Sequence, residues 1–131
     1  MTVEIQDEWY SLKQCSENRN KLFVFGDNTI GIGEAGQASI RTAENSIGLA
    51  TKILPSNSPD AYFQDNEKCQ QIVMDELDKI ILICESGKYD TIVFPSDGLG
   101  TGLSMMPKKA PELFKWMNAQ ISKTFNIPYT F

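Results

Sequence analysis

Apolar residues along this chain fall into short continuous runs, separated by glycine-rich or polar stretches, with one long segment of helical period among them. Residues 22–25 (Leu-Phe-Val-Phe) lie between Lys21 and Gly26, and residues 91–94 (Thr-Ile-Val-Phe) stop at Pro95. Runs of four rich in β-branched and aromatic side chains, without polar alternation, predict strands buried on both faces. Residues 46–51 predict a further strand, weakened by Gly48, and Val3 with Ile5 a short one near the start. Trp9, Leu12 and Lys13 suggest a turn of helix after it. Val73, Leu77, Ile80, Ile81 and Cys84 recur at spacings of three and four, which predicts a helix over 66–84 with a single apolar stripe. Asp65 or Asn66 suits its N-cap and Gly87 its end. A helix is expected over 108–124, with Leu113, Trp116, Met117, Gln120 and Ile121 on one face and Pro111 in its first turn. A shorter helix is expected over 35–43, a loop over 55–59, and an edge strand over 127–131, because Pro128 would interrupt a central ladder.

Strands that alternate with helices predict an α/β domain with a largely parallel sheet covered on both faces. A length of 131 residues suits one domain over residues 1–131. In such sheets ligands bind at the carboxyl ends of the strands. Both glycine-rich stretches fall at such ends, after residues 25 and 94.

Composition narrows the chemistry. No stretch approaches the roughly 20 apolar residues that span a bilayer, and the acidic opening segment has no apolar core, so neither a membrane anchor nor a signal peptide is expected. Three cysteines (Cys15, Cys69, Cys84) with no C-x-x-C pair argue against a disulfide framework and a zinc site, and point to the cytoplasm. A net charge of −5 disfavours direct binding to duplex nucleic acid and suits a monomer. The chain has no histidine, which removes Ser-His-Asp and Cys-His catalysis and histidine-ligated metals. No metal and no cofactor are expected. Any catalysis must use carboxylates, a lysine, hydroxyls or backbone dipoles.

The first loop runs from Gly26-Asp27-Asn28 to Gly31-Ile32-Gly33 and Gly36. Its glycines allow a ligand to approach the backbone, and the segment after it offers free amides to an anion. The spacing matches the dinucleotide fingerprint, but residues 27–30 intervene between strand and motif, so a Rossmann site is the weaker reading. The second loop, Asp97-Gly98-Leu99-Gly100-Thr101-Gly102-Leu103-Ser104, follows a buried strand directly and forms a backbone nest suited to a diphosphate. Lys52 stands at the end of the strand over 46–51, on the same rim, as a phosphate partner or a nucleophile. Asp27, Asn28 and Asp97 are candidates for ribose or adenine contacts, or ordinary turn residues. Tyr62, Phe63, Trp116 and Phe125 are the aromatics weighed for stacking on a base.

Three segments in this order resemble the macro domains, in particular the branch of terminal ADP-ribose protein glycohydrolases. They are residues 22–41, the strand over 47–52 ending in Thr51-Lys52, and residues 91–103, and the likeness extends over roughly residues 20–125. The resemblance implies a three-layer α/β/α fold with a mixed, largely parallel sheet. It further implies ADP-ribose in a cleft, the diphosphate held by both glycine loops. In that branch a lysine attacks the distal ribose and an aspartate after the second loop assists. Lys52 matches the lysine, while Ser104 occupies the aspartate position. Asp27 and Asp97 are the substitute acids or bases, and Gly26-Asp27 is the only Gly-Asp pair, lying after the second strand instead of the first. The functions this implies are binding of ADP-ribose, or of a macromolecule carrying it, with hydrolytic removal of the group. The alternatives are a non-catalytic sponge or sensor of an ADP-ribose-derived signal, and a protein-interaction domain whose loops are scaffolding.

Overall fold

The computed structural model describes residues 1–129. Four strands, β1 (Thr2–Gln6), β2 (Lys21–Asn28), β3 (Ser46–Lys52) and β4 (Thr91–Pro95), form one sheet in the order β1-β4-β2-β3. Every strand pair is parallel, so the mixed sheet expected from the resemblance is not formed among the described residues. The antiparallel element is one isolated bridge, Lys52 to Tyr62. The helices are α1 (Leu12–Glu17), α2 (Glu67–Glu85), α3 (Met106–Lys109) and α4 (Pro111–Phe125), with 3₁₀ turns at Gly36–Ile40 and Pro59–Ala61.

Successive side chains of a strand point to opposite faces, and both faces here are covered. Leu22, Val24, Ile92 and Phe94 join a core with residues of α2 and α4. Phe23, Phe25 and Val93 point the other way, into a smaller core with Tyr10, Cys15, Ala38 and Ile40. A strand buried on both sides has no solvent face, which is why β2 and β4 are apolar in unbroken runs. α2 starts where Asn66 Oδ1 accepts the Cys69 N–H at 2.8 Å. It buries Cys69, Val73, Leu77 and Ile80, with Ile83 and Cys84 partly buried against the core. The stripe therefore turns toward Ile83, and Ile81 lies off it.

Several expectations need correction. The helix expected over 108–124 is two helices: Ala110 separates α3 from α4, and Pro111 stands in the first turn of α4 as its first residue. A proline lacks the amide that continued helix would require, so the helix restarts there. Asp65, a candidate cap for α2, serves α4 instead, its Oδ1 accepting the Leu113 N–H at 2.8 Å. The helix over 35–43 is a 3₁₀ turn only, and Trp9 precedes α1 with 80 % of its surface exposed. Residues 127–129 form no strand; Ile127 and Tyr129 pack into the core, with the Tyr129 hydroxyl donating to the Pro95 carbonyl, and the last two positions of that expected strand lie outside the described residues. Among the described residues no helix is long and apolar enough to cross a membrane.

Candidate functional site

The site arises where two neighbouring strands part. β2 and β4 are paired only from Lys21–Phe23 to Thr91–Val93, after which β2 stays with β3 and β4 stays with β1. Tyr10 fills the fork: its hydroxyl lies 2.9 Å from the Val24 carbonyl and 3.3 Å from that of Val93. Burial pushes this phenol far above its ordinary pKa, so it remains a neutral donor. Beyond the fork the chain leaving β2 enters the 3₁₀ turn on the small-core face, while the chain leaving β4 reaches α4 on the large-core face. Adjacent strands whose connections depart to opposite faces leave a crevice at their carboxyl ends, the usual ligand position in an open parallel sheet.

Both glycine loops line that crevice. A cavity of about 350 Å³ lies between Gly36 and Gln37 of the first and Gly100, Gly102 and Leu103 of the second. It adjoins one of about 210 Å³ containing Lys52 and one of about 120 Å³ beside Trp9 and Asp97. In the second loop the N–H groups of residues 100–104 donate to no acceptor among the described residues, although Gly100 is buried; in the first loop the same holds for residues 33–37. Residues of both runs border the crevice, and loops with unpaired amides at such a place suit an anion. Gly100 has φ +90°, and a Cβ there would come within 2.5 Å of the Met106 sulfur, so both backbone shape and packing require glycine. Gly98 is held by its own N–H to the Pro95 carbonyl. Thr101 is the exposed tip. Leu99 is not at the surface: its side chain is in the core and its N–H points to Asn118 Oδ1 at 3.5 Å, so it anchors the loop instead of contacting a ligand.

The first loop is shaped by its own polar residues. Asn28 Nδ2 donates to the Ile32 carbonyl at 2.7 Å, and its Oδ1 accepts from the Ile30 and Ile32 amides. Asn28 is therefore spent on the turn, together with Gly31, whose N–H returns to the Asn28 carbonyl. Asp27 is spent as well. Arg41 grips both its oxygens, at 2.8 and 2.5 Å, and donates through Nε to the Gly33 carbonyl at 2.8 Å. The Asp27 hydrogen bond holds the Arg41 guanidinium above its ordinary pKa. Gly48, on the neighbouring strand, leaves room for this pair: a Cβ there would meet Asp27 Oδ2 at 2.4 Å. Gln37 links the loops, accepting from the Gly26 N–H at 2.9 Å and reaching the Gly98 carbonyl at 3.5 Å.

Lys52, at the end of β3, is only 7 % exposed and borders the smaller cavity with Ile32, Leu103 and Ser104. Its ammonium sits 4.6 Å from the centre of the Tyr62 ring, and among the described residues no carboxylate pairs with it. Ser104 shares a 2.6 Å hydrogen bond with the buried Thr51 hydroxyl. The expected residues thus fall into three groups: Lys52, Ile32, Gly33, Gly36, Gly100, Gly102, Leu103 and Ser104 line the crevice; Asp27, Asn28, Gly31, Gly98 and Leu99 build it; Asp97 lies at its far end beside Trp9. Sequence reasoning passed over Trp9, Tyr10, Gln37 and the pairing of Arg41 with Asp27. Trp9 carried the one available signal, a large aromatic in a polar segment. The aromatics weighed for stacking lie elsewhere: Tyr62 holds Lys52, Phe63 is in the core, and Trp116 and Phe125 pack against it. Burial raises the pKa of the Cys15 and Cys84 thiols, which leaves them poor nucleophiles.

A larger hollow of about 410 Å³ lies between α2 and α4, lined by Asp65, Glu67, Glu112 and Trp116 among others, and neither glycine loop contributes to it. Among the described residues no group of three or more cysteine, aspartate or glutamate side chains could hold a metal ion. No curated protein and no solved structure matches the chain. A family model matches residues 5–120, a span that includes Trp9, both glycine loops and Lys52. The chain therefore belongs to DUF7831, a family of unknown function.

Proposed function

We propose that the crevice binds ADP-ribose or a related nucleotide derivative, on a macro-domain-like α/β/α scaffold. The observation that carries this reading is the pair of amide runs without protein acceptors, 33–37 and 100–104, on the two loops that border the crevice at the fork of β2 and β4. A diphosphate supplies the acceptors those amides lack. The exposed Trp9 ring at one end offers a face for a base, with Asp97 beside it to accept from an exocyclic amine. Lys52 stands at the other end, where the distal part of the ligand reaches.

Of the two outcomes for a bound ligand, retention is favoured over hydrolysis. A lysine nucleophile needs a group to take its proton. Near Lys52, Asp27 is held by Arg41, and the position of the assisting aspartate in the glycohydrolase branch that the chain resembles is occupied by Ser104, bonded to Thr51. The domain then acts as a sponge or sensor for the nucleotide, free or attached to a macromolecule. Thermal unfolding with ADP-ribose and with AMP tests the reading. ADP-ribose at about 100 times its dissociation constant stabilises by roughly 2.7 kcal/mol, a readily measured rise in midpoint. Stabilisation by ADP-ribose and little by AMP is expected; no shift with either refutes it. Recovery of intact ligand after long incubation separates retention from turnover.

A further inference from the structure

We infer that Gln37 is a positioning residue of the nucleotide site: its side-chain amide ties the first glycine loop to the second and sets the spacing of the two amide runs. This rests on the nucleotide reading above. Backbone polar groups of a parallel strand point alternately to its two neighbours. The Phe23 N–H turns toward β3, donating to the Asn45 carbonyl at 2.9 Å. The Val24 carbonyl and the Gly26 N–H therefore turn toward β4, beyond the point where the β2–β4 ladder has ended. Tyr10 takes the first of these, and Gln37 Oε1 accepts the second at 2.9 Å. The other arm of the same amide, Nε2, donates to the Gly98 carbonyl of the second loop at 3.5 Å.

A primary amide carries an acceptor and a donor on one carbon, so this group stands in for a rung of the missing ladder. Its backbone is anchored, because Ala38 and Ile40 of the same 3₁₀ turn lie in the smaller core. The tie is made beside the second amide run: a Cβ at Gly26 would stand 3.5 Å from Gln37 Oε1 and 3.8 Å from the Gly100 nitrogen. Gln37 also borders both the cavity between the loops and the one beside Trp9. Each polar atom of its side chain is engaged by backbone, so Gln37 acts through the loops. Toward the Lys52 end the Thr51 hydroxyl makes a corresponding tie, from the Asp27 carbonyl to Ser104.

Titration calorimetry with ADP-ribose on the full chain, at about pH 7.5 and about pH 4.5, tests the assignment through two substitutions. Gln37→Met keeps the length and removes both hydrogen bonds, and the affinity falls about tenfold at either pH. Methionine is uncharged, so this loss cannot come from repulsion of the diphosphate. Gln37→Glu keeps the acceptor for Gly26, but its ionised carboxylate cannot donate to Gly98, whereas the protonated carboxyl can. The titratable groups around this position are Asp7, Glu8, Tyr10 and Asp97, which line the cavity beside Trp9 with it, and the Asp27–Arg41 pair of its own loop. The neighbouring carboxylates raise the pKa of the introduced group. Affinity relative to the parent is therefore low at the higher pH and recovers at the lower. A folded Gln37→Met variant that binds as the parent does, or a Gln37→Glu variant without recovery, overturns this inference and leaves the nucleotide reading standing. Failure of the unaltered protein to bind ADP-ribose overturns the two together.

Discussion

At the residue scale, the first loop owes its shape to a side chain that is absent. Gly48 is a poor strand former, yet it sits in β3 opposite Phe25 because the Asp27 carboxylate lies over it. Gly48→Ala forces Asp27 off Arg41. A loss of about 1–3 kcal/mol is expected in urea unfolding, with weaker ADP-ribose binding; an alanine variant of unaltered stability would show that the pair tolerates displacement. Trp9 is the opposite case. Its ring is 80 % exposed, so it contributes little to packing. Trp9→Ala should leave the melting temperature within a degree or so, while ADP-ribose binding weakens by roughly 1–3 kcal/mol, the usual worth of a stacked base. Unchanged affinity would remove Trp9 from the site.

At the scale of elements, β3 is an edge strand, and α2 covers part of its free side. Glu76 of α2 accepts the Ala50 N–H at 2.7 Å. Burial raises the pKa of this carboxyl, outweighing the Ala50 hydrogen bond, and neighbouring Asp27 adds to the rise. A folded-state pKa above the unfolded one means that the protonated form is favoured in the fold. The stabilising contribution is fully present below the unfolded pKa, about 4.3 for glutamate. It is lost as pH rises through the folded value. Glu76→Gln retains an acceptor for Ala50 without titrating. Its melting temperature relative to the parent should therefore climb as the pH is raised from about 4 to about 7.5, across the ordinary glutamate range. Parallel melting curves across that range would mean that the carboxyl is as well solvated as in the unfolded chain.

For the whole molecule, the governing feature is the fork between β2 and β4. The chain leaving β2 and the chain leaving β4 depart to opposite faces there, and the crevice opens between them. Tyr10, from the segment before α1, reaches both parted strands and satisfies carbonyls that the missing ladder would otherwise have paired. Tyr10→Phe keeps the ring and its edge contact with Phe23, whose centroid is 5.5 Å away. It leaves the Val24 and Val93 carbonyls without that donor. A cost of about 1–3 kcal/mol in global stability is expected from denaturant unfolding. A phenylalanine variant as stable as the parent would mean that the fork closes or hydrates without cost.

The sequence by itself determined the elements and their kind. Short apolar runs over 22–25 and 92–94 bounded by Gly26 and Pro95 point to strands covered on both faces, the spacing from Val73 to Cys84 points to a one-sided helix, and three glycines between residues 98 and 102 mark a loop of close backbone approach. These are local properties, set by the period of side-chain direction and by backbone sterics. They also located the crevice roughly, because strand ends and loops adjoin in the chain. What each polar residue does was decided by tertiary structure alone. Arg41 neutralises Asp27 across 14 positions, and Tyr10 spans to Val93 across 83. Hydrogen bonds and ion pairs depend on where atoms meet in space, and spacing along the chain carries no trace of that. So Asp27, a candidate acid or base from its position, became a structural ion pair, and Lys52 became a largely covered side chain whose ammonium lies over the Tyr62 ring.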